Sequence, residues 1–379
     1  MIIPVLLDSY YYILLIVSFY FFLMSLANHY EMRRFTRGPE IFEGPLVSVL
    51  IPMRNEEKNA LSCLKGLQNQ LYKNYEILVL NDNSSDNTLS VLENIAIQDS
   101  RIKIFNGLPL PDDWYGKPFA LHQLTGHAKG DILLFTDADT RHNPSSVSWA
   151  VTNMEYLKAD MISGYTGQIL KTFGEIITVP LMFFTTGFVI PLFMNRFSKS
   201  AAFSAAIGQY IAIRKNVLNE IGGCIAFKKI TLEDIYLSRF VKKRGYVTRF
   251  LNLTEHVSCR MYESYLGAIE GIGKNLSGFL GRNILVIPLL SAGVIFFFLL
   301  PFPLLFIFFI TGSKWTIYIL IVNALFTLTW FFMFLNQRLK WWYCFLWPLL
   351  FLNLIYMAFY SWLRTIAGKG FIWKGRKVS

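Results

Sequence analysis

Four long stretches of this chain carry no charge, and they lie at its two ends: Tyr10–Ala27, Ile284–Ile310, Trp315–Leu335 and Trp341–Leu363. Each is about as long as the ~20 apolar residues that cross a bilayer core. Lipid offers the backbone no hydrogen-bond partner, so such stretches can only be helices that bond internally. Composition agrees. The 379 residues are 54% hydrophobic and 16% charged, with a mean hydropathy of +0.40. That is too apolar for a soluble enzyme and, in the middle, too charged for a pure transporter.

The first stretch lacks the basic start and the small-residue cleavage site of a signal peptide, which reads as an uncleaved anchor. Arg33, Arg34 and Arg37 follow it, so the next part of the chain is expected in the cytosol. Trp315, Trp341, Trp342 and Trp362 stand at the edges of the C-terminal stretches, where indoles prefer the interface. Three full spans from a cytosolic domain would put the tail outside. Yet the tail carries Arg364, Lys369, Lys374, Arg376 and Lys377, which favours the inside. One of the three is therefore expected to be re-entrant or interfacial, and Pro288, Pro301 and Pro303 mark the first as kinked. The net charge of +11 then belongs to lysines and arginines facing anionic lipid or a phosphorylated substrate, with no nucleic-acid partner expected. Cys63, Cys224, Cys259 and Cys344 have neither disulfide nor zinc spacing.

Between the ends the pattern changes. Leu46–Met53, Tyr75–Asp82, Arg101–Phe105 and Asp131–Phe135 read as strands, with helical periodicity over Glu56–Gln70, up to Ala96 and over Phe119–Ala128. This alternation predicts an α/β fold with a parallel, doubly wound sheet. Ligands of such sheets sit at the carboxyl ends of the strands. That edge should gather Pro52 and Glu56, Asp82 and Asp86, a loop Trp114-Tyr115-Gly116-Lys117-Pro118, and Asp137 with Asp139. Singly, these acids are ordinary turn and cap residues. Together they repel one another unless a cation joins them, and Mg2+ or Mn2+ suits oxygen donors completed by substrate phosphates.

The segments VSVLIPMRNEE, ILVLNDNSSDNT, FTDADT and TLEDIYLSRFVKKRGY, in this order over Val47–Asn283, resemble the catalytic domain of glycosyltransferase family 2. The resemblance implies an A-type glycosyltransferase fold (Rossmann-like, with a mainly parallel sheet), a nucleotide-diphosphate sugar donor and a metal ion. It places Pro52, Glu56 and Asp82 at the nucleoside, Asp137 at the ribose, Asp139 at the metal, Lys117 at the diphosphate and Asp234 as catalytic base. WYGKPFALHQ, GQYIAIRKNVLNEIGG, CRMYESY and WKGR further resemble bacterial carotenoid-acid glycosyltransferases of the diaponeurosporenoate type, which adds Gln209, Glu233, Arg260, Trp373 and Arg376 as diphosphate or acceptor contacts. The Gln-x-x-Arg-Trp motif of processive synthases does not follow Asp234, which favours a single transfer.

The expected plan is an anchor over 1–30, a cytosolic domain over 40–283, membrane helices over 284–363 and a basic tail over 364–379. Within the domain, the apolar stretch 176–194 holds Pro180, Gly187 and Pro191. A full span there would separate Asp139 from Asp234, so it is expected to be interfacial or re-entrant. Thr231 is the expected cap for a helix starting at Glu233. The expected activity is inverting transfer of glucose from UDP-glucose to a lipidic acceptor at the bilayer, a carotenoid by the closer resemblance. A hopanoid, sphingoid or diacylglycerol acceptor is the alternative, and a nucleotide-binding transport or sensory protein is the reading from another class.

Overall fold

The computed structural model describes residues 2–280, 286–367, 371–373 and 376–378. Two compact units divide the chain. One comprises Glu31–Ile169 and Leu192–Met261, the other Met1–Tyr30, Leu170–Pro191 and Tyr262–Ser379.

The first unit is built on strands β1 (Val47–Met53), β2 (Tyr75–Asn81), β3 (Ile102–Asn106), β4 (Ile132–Thr136), β5 (Thr140–His142), β6 (Met161–Tyr165), β7 (Gly167–Gln168), β8 (Tyr210–Arg214), β9 (Thr248–Asn252) and β10 (Val257–Cys259). Seven form one sheet in the order β3-β2-β1-β4-β8-β6-β9. β1, β2, β3 and β4 run parallel, as expected for strands joined by helices. β8 is inserted antiparallel between β4 and β6, with Thr136 opposite Tyr210. This reversal matters for the site, because the start of β8 lies where β4 ends. Gly208 and Gln209 are thereby delivered to the edge that carries Asp137. A smaller sheet, β5-β10-β7, pairs Cys259 with both Thr140 and Gln168.

The strands are apolar on both faces because helices cover both. Val47, Val49 and Ile51 belong to one buried core with Ala60, Leu64 and Leu67; Leu50, Leu78 and Leu133 belong to another with Leu121 and Leu237. These helices are α2 (Glu57–Gln68), α3 (Thr88–Ala96), α4 (Gly116–His127), α5 (Ser146–Tyr156) and α6 (Glu233–Lys243), while α1 (Ile2–Phe35) belongs mostly to the other unit. α4 begins earlier than expected. Gly116, Lys117 and Pro118 are its first turn, not a loop, since proline is tolerated where the amide needs no helical partner. The expected Thr231 cap is also absent: α6 starts after Leu232 with no side-chain cap. Its terminal amides are met from within, as the next section describes.

In the second unit, Asp8–Phe35, Thr316–Asn336 and Trp341–Ile366 are long and apolar enough to cross a membrane. Val286–Leu299 and Pro301–Thr311 form a pair bent by 40°. The break falls in the first C-terminal stretch, at the proline expected to kink it. Leu170–Pro191 and the helix Tyr265–Leu280 group with the apolar helices rather than with the sheet. Leu170–Pro191 is broken into short turns, including Val179–Phe183 and Thr185–Val189. Asn28 meets the carbonyls this frees, donating to Thr186, Gly187 and Ile190 at 3.3, 3.2 and 2.8 Å. Asn353 does the same for Ile177 at 3.0 Å. Irregular backbone in apolar surroundings survives only with such partners. Tyr265–Leu280 is tied in by Ser361, whose hydroxyl donates to Gly273 O at 2.7 Å.

Gly164 of β6 faces Leu251 of β9, and a Cβ there would stand 2.1 Å from the Leu251 carbonyl oxygen. Gly164→Ala is expected to destabilise the sheet by about 1–3 kcal/mol, the usual range for overpacking. A thermal unfolding midpoint unchanged from wild type would contradict this.

Candidate active site

The strand ends present the first part of the site. Beyond β1, Asn55 adopts a left-handed conformation with φ 52°, and beyond β2, Asn83 does so with φ 51°. Asparagine tolerates this better than most residues. The two turns are laced together. Asp82 N donates to Met53 O at 2.7 Å, and Arg54 reaches back to Asp82 O at 2.7 Å. Glu56 N donates to Thr88 Oγ1 at 2.8 Å, and Glu57 N to Asp86 Oδ2 at 3.2 Å. Asp86 thus serves the starts of both α2 and α3, and its carboxyl is lowered by the hydrogen bonds it accepts despite the opposing effect of burial. Glu56 and Asp82 are buried at this edge, and Pro52 lies beside Leu80.

The second part centres on Lys117. Its ammonium lies 2.7 Å from Asp137 Oδ1 and 3.2 Å from Glu233 Oε1. A lysine in the first turn of a helix opposes the helix dipole. The carboxylates outweigh that: burial pulls the Lys117 ammonium down, but Asp137, Glu233 and Asp234 together hold it above the ordinary lysine value.

Asp234 is held from two sides. Gly208 N donates to its Oδ2 and Ile235 N to its Oδ1, each at 2.8 Å. Being acids in a first turn, Glu233 and Asp234 suit the start of α6. Burial first, and Glu233 second, push the Asp234 carboxyl up to about 6, against the pull of Lys117 and the two amides. A carboxyl tuned toward neutrality is what a general base needs. Gly208 has a physical reason to be glycine: a Cβ there would stand 2.8 Å from Lys117 Nζ and 3.5 Å from Asp234 Oδ2.

The turn between Asp137 and Asp139 is fixed from below. Thr140 Oγ1 donates to Asp137 O at 2.6 Å, and Thr136 Oγ1 donates to Gln209 O at 2.9 Å. His142 Nε2 lies 3.0 Å from the Thr140 hydroxyl and 3.1 Å from that of Thr136, while Nδ1 faces Ser146 at 3.1 Å. Burial, reinforced by Arg141, lowers the His142 imidazole to about 3, so it is neutral and serves as a hydrogen-bonding hub. Cys259 hydrogen-bonds Asp139, and burial followed by the Asp139 charge raises its thiol.

Lys117, Asp137, Glu233 and Asp234 therefore converge, with Gly208 added by the structure. Gln209 differs from the expectation of a substrate contact. Its side chain is 2% exposed, accepts from the Thr166 hydroxyl and faces Gln168 at 3.3 Å. Arg260 is half-buried, directly after β10, whose last residue pairs with Thr140. The side chains of Trp373 and Arg376 lie outside the described residues. Sequence reasoning missed Gly208 and His142, neither of which carries a local signal for the part it plays here.

Among the described residues, no three His, Cys, Asp or Glu side chains converge to hold an ion unaided. One ammonium against the carboxylates of Asp137, Glu233 and Asp234 still leaves negative charge in excess. Hard oxygen donors of this kind fit a divalent ion whose remaining ligands are phosphate oxygens.

Residues 48–222 match the family model described as "Glycosyl transferase family 2". The chain is 30% identical over 212 residues to the probable glycosyltransferase YdaM of Bacillus subtilis (strain 168), a match covering 55% of this chain and 49% of that protein. It is 27% identical over 237 residues to the 4,4'-diaponeurosporenoate glycosyltransferase of Staphylococcus haemolyticus (strain JCSC1435), over 61% of each. These matches span about half to three-fifths of the relatives' lengths. Among solved structures, it is similar to the mannosyltransferase PcManGT from Pyrobaculum calidifontis in complex with GDP-Man and Mn2+. That likeness has a TM-score of 0.55 at 16% identity, covers 96% of this chain and 99% of the other, and is a likeness of fold.

Gly208→Ala is expected to push the Lys117 ammonium off Asp137, because the new methyl takes its place and a lysine tip yields more easily than backbone. A structure of the variant in which the Lys117–Asp137 distance stays within ion-pair range would contradict this.

Proposed function

From the premise that the chain carries a family 2 glycosyltransferase domain, we propose that it is a membrane-bound, inverting hexosyltransferase that moves glucose from UDP-glucose to a lipidic acceptor. The observation that carries the reading is the Asp234 carboxylate, held by two backbone amides and raised to about 6, beside the Lys117–Asp137 pair. A protein that only binds nucleotide has no use for a base so tuned.

The steps follow from these groups. Pro52, Glu56 and Asp82, on the laced turns of β1 and β2, receive the nucleoside. Lys117 lies beside Asp137 and offers its ammonium to the diphosphate, whose leaving oxygen gains charge as the glycosidic bond breaks. Asp137 and Asp139 would hold Mg2+ or Mn2+ through carboxylate oxygens, and that ion would neutralise the leaving diphosphate. The acceptor hydroxyl is a weak nucleophile, so Asp234 takes its proton as it attacks the anomeric carbon from the opposite face. One displacement with one base inverts the anomer. Glu233, tied to Lys117, keeps the ammonium between the donor side and the base side.

A lipidic acceptor is supported by the helices long enough to cross a membrane and by the relative named for diaponeurosporenoate. A carotenoid acid is accordingly the first acceptor to test. The arginines after the first span support a cytosolic catalytic domain, where nucleotide sugars are made.

Asp234→Asn is expected to lower transfer by at least ~100-fold, within the usual range for a general base, while UDP-glucose binding measured by titration calorimetry is retained. In the wild type the rate should fall as pH drops through about 6, because protonation removes the base. A normal rate in the asparagine variant would reject the assignment. For the acceptor, membranes containing the protein are incubated with radiolabelled UDP-glucose and extracted with organic solvent. Label in the organic phase is expected; label confined to water would reject a lipid product.

A further inference from the structure

A second charged cluster lies away from the carboxylates. It joins the end of α1, the segment Met194–Phe197 and the beginning of β9. Glu31 is the acid at its centre. Arg196 Nε lies 3.4 Å from Glu31 Oε1, and the charges of Arg196, Arg249 and Arg34 all act on that carboxyl. One guanidinium thus pairs with the carboxylate and two more lie within electrostatic reach of it, while burial first and Arg249 second lower the Lys242 ammonium.

The surroundings call for an anion. Arg249 is half-buried, and its Nε is shielded from solvent with no hydrogen-bond partner among the described residues. A desolvated guanidinium N–H without an acceptor is costly. Its NH1 is already engaged, donating to Thr248 O at 2.9 Å. Arg196 is flattened between rings, its guanidinium carbon 3.7 Å from the centre of Phe35 and 4.8 Å from that of Phe197. Phe197 itself is 69% exposed, beside the exposed Lys199.

We propose that Arg34, Arg196 and Arg249, with Phe197 beside them, bind the phosphate of an anionic membrane lipid of the phosphatidylglycerol type. Two features select a lipid over a free anion. The cluster is built on the last turn of α1, and Asp8–Phe35 within that helix is a candidate span, which puts the arginines at headgroup depth. An exposed phenylalanine next to paired cations suits the boundary between headgroup and acyl chain, and a free phosphate would gain nothing from it. The cluster is also separate from the diphosphate site. Arg249 is three strands away from β4 across the sheet and level with Leu134 of that strand, not with Asp137. The proposal rests on the membrane-bound reading of the chain.

The test titrates the full chain in a neutral detergent with phosphatidylglycerol, phosphatidylcholine or inorganic phosphate and follows thermal unfolding, since a ligand of the folded state raises the midpoint. Phosphatidylglycerol is expected to raise it, and the other two to leave it unmoved. The double variant Arg34→Gln/Arg196→Gln is expected to need about 10- to 30-fold more phosphatidylglycerol for the same shift, as two basic contacts at an anionic surface imply. Equal shifts from phosphatidylcholine, equal shifts from inorganic phosphate, or an unchanged titration in the variant would each overturn the proposal. If the variant does not fold, the three wild-type titrations still decide. Sugar transfer assayed on the same sample separates the two readings: lost transfer with intact lipid response counts against the enzyme assignment alone.

Discussion

One ammonium organises the site. Lys117 lies between Asp137 at the end of β4 and Glu233 at the start of α6, two residues that are distant in sequence and alike in charge. Without it, three carboxylates from two elements would repel one another across the sheet edge. With it, Asp234 is left close to a cation yet not paired to it, so burial and Glu233 can keep its proton affinity high. The first turn of α4 must therefore be rigid, and Pro118 immediately after the lysine makes it so.

The antiparallel strand β8 is the second requirement. A parallel strand in its place would bring its far end, not Gly208, to the edge where β4 finishes. The reversal puts a backbone amide 2.8 Å from Asp234 and leaves room for Lys117 where a side chain would intrude. Lys117 and Asp234 thus meet at main chain, which holds position more firmly than a second long side chain would.

How much of this was legible depends on the range of the interactions. β1, β2, β3 and β4 were readable because β-branched runs bounded by turn residues are local signals, and their order implied which acids share an edge. Asp137 and Asp139 stood out because they end an apolar strand, whereas Asp234 came only from the family resemblance. The direction of β8 was not legible, since it depends on how the chain crosses the sheet. Gly-Lys-Pro read as a loop because glycine and proline usually break helices, though at a first turn they need not. Thr231 looked like a cap, but Asp234 accepts the Ile235 amide itself. Gly208 carries no signal of its own, as its meaning comes from the lysine tip beside it. Apolar runs such as the one after Leu170 record burial without saying against what.

Histidine near an aspartate pair usually suggests a switch. His142 is the opposite, since burial keeps it uncharged well below neutral pH and both ring nitrogens are committed to hydroxyls. The turn carrying Asp137 and Asp139 therefore keeps its shape through the same acid range in which Asp234 gains its proton. On the proposed reading, donor capture and proton removal are in this way uncoupled: acidity would silence the chemistry while the cradle for the nucleotide stays assembled, ready to resume as the proton leaves.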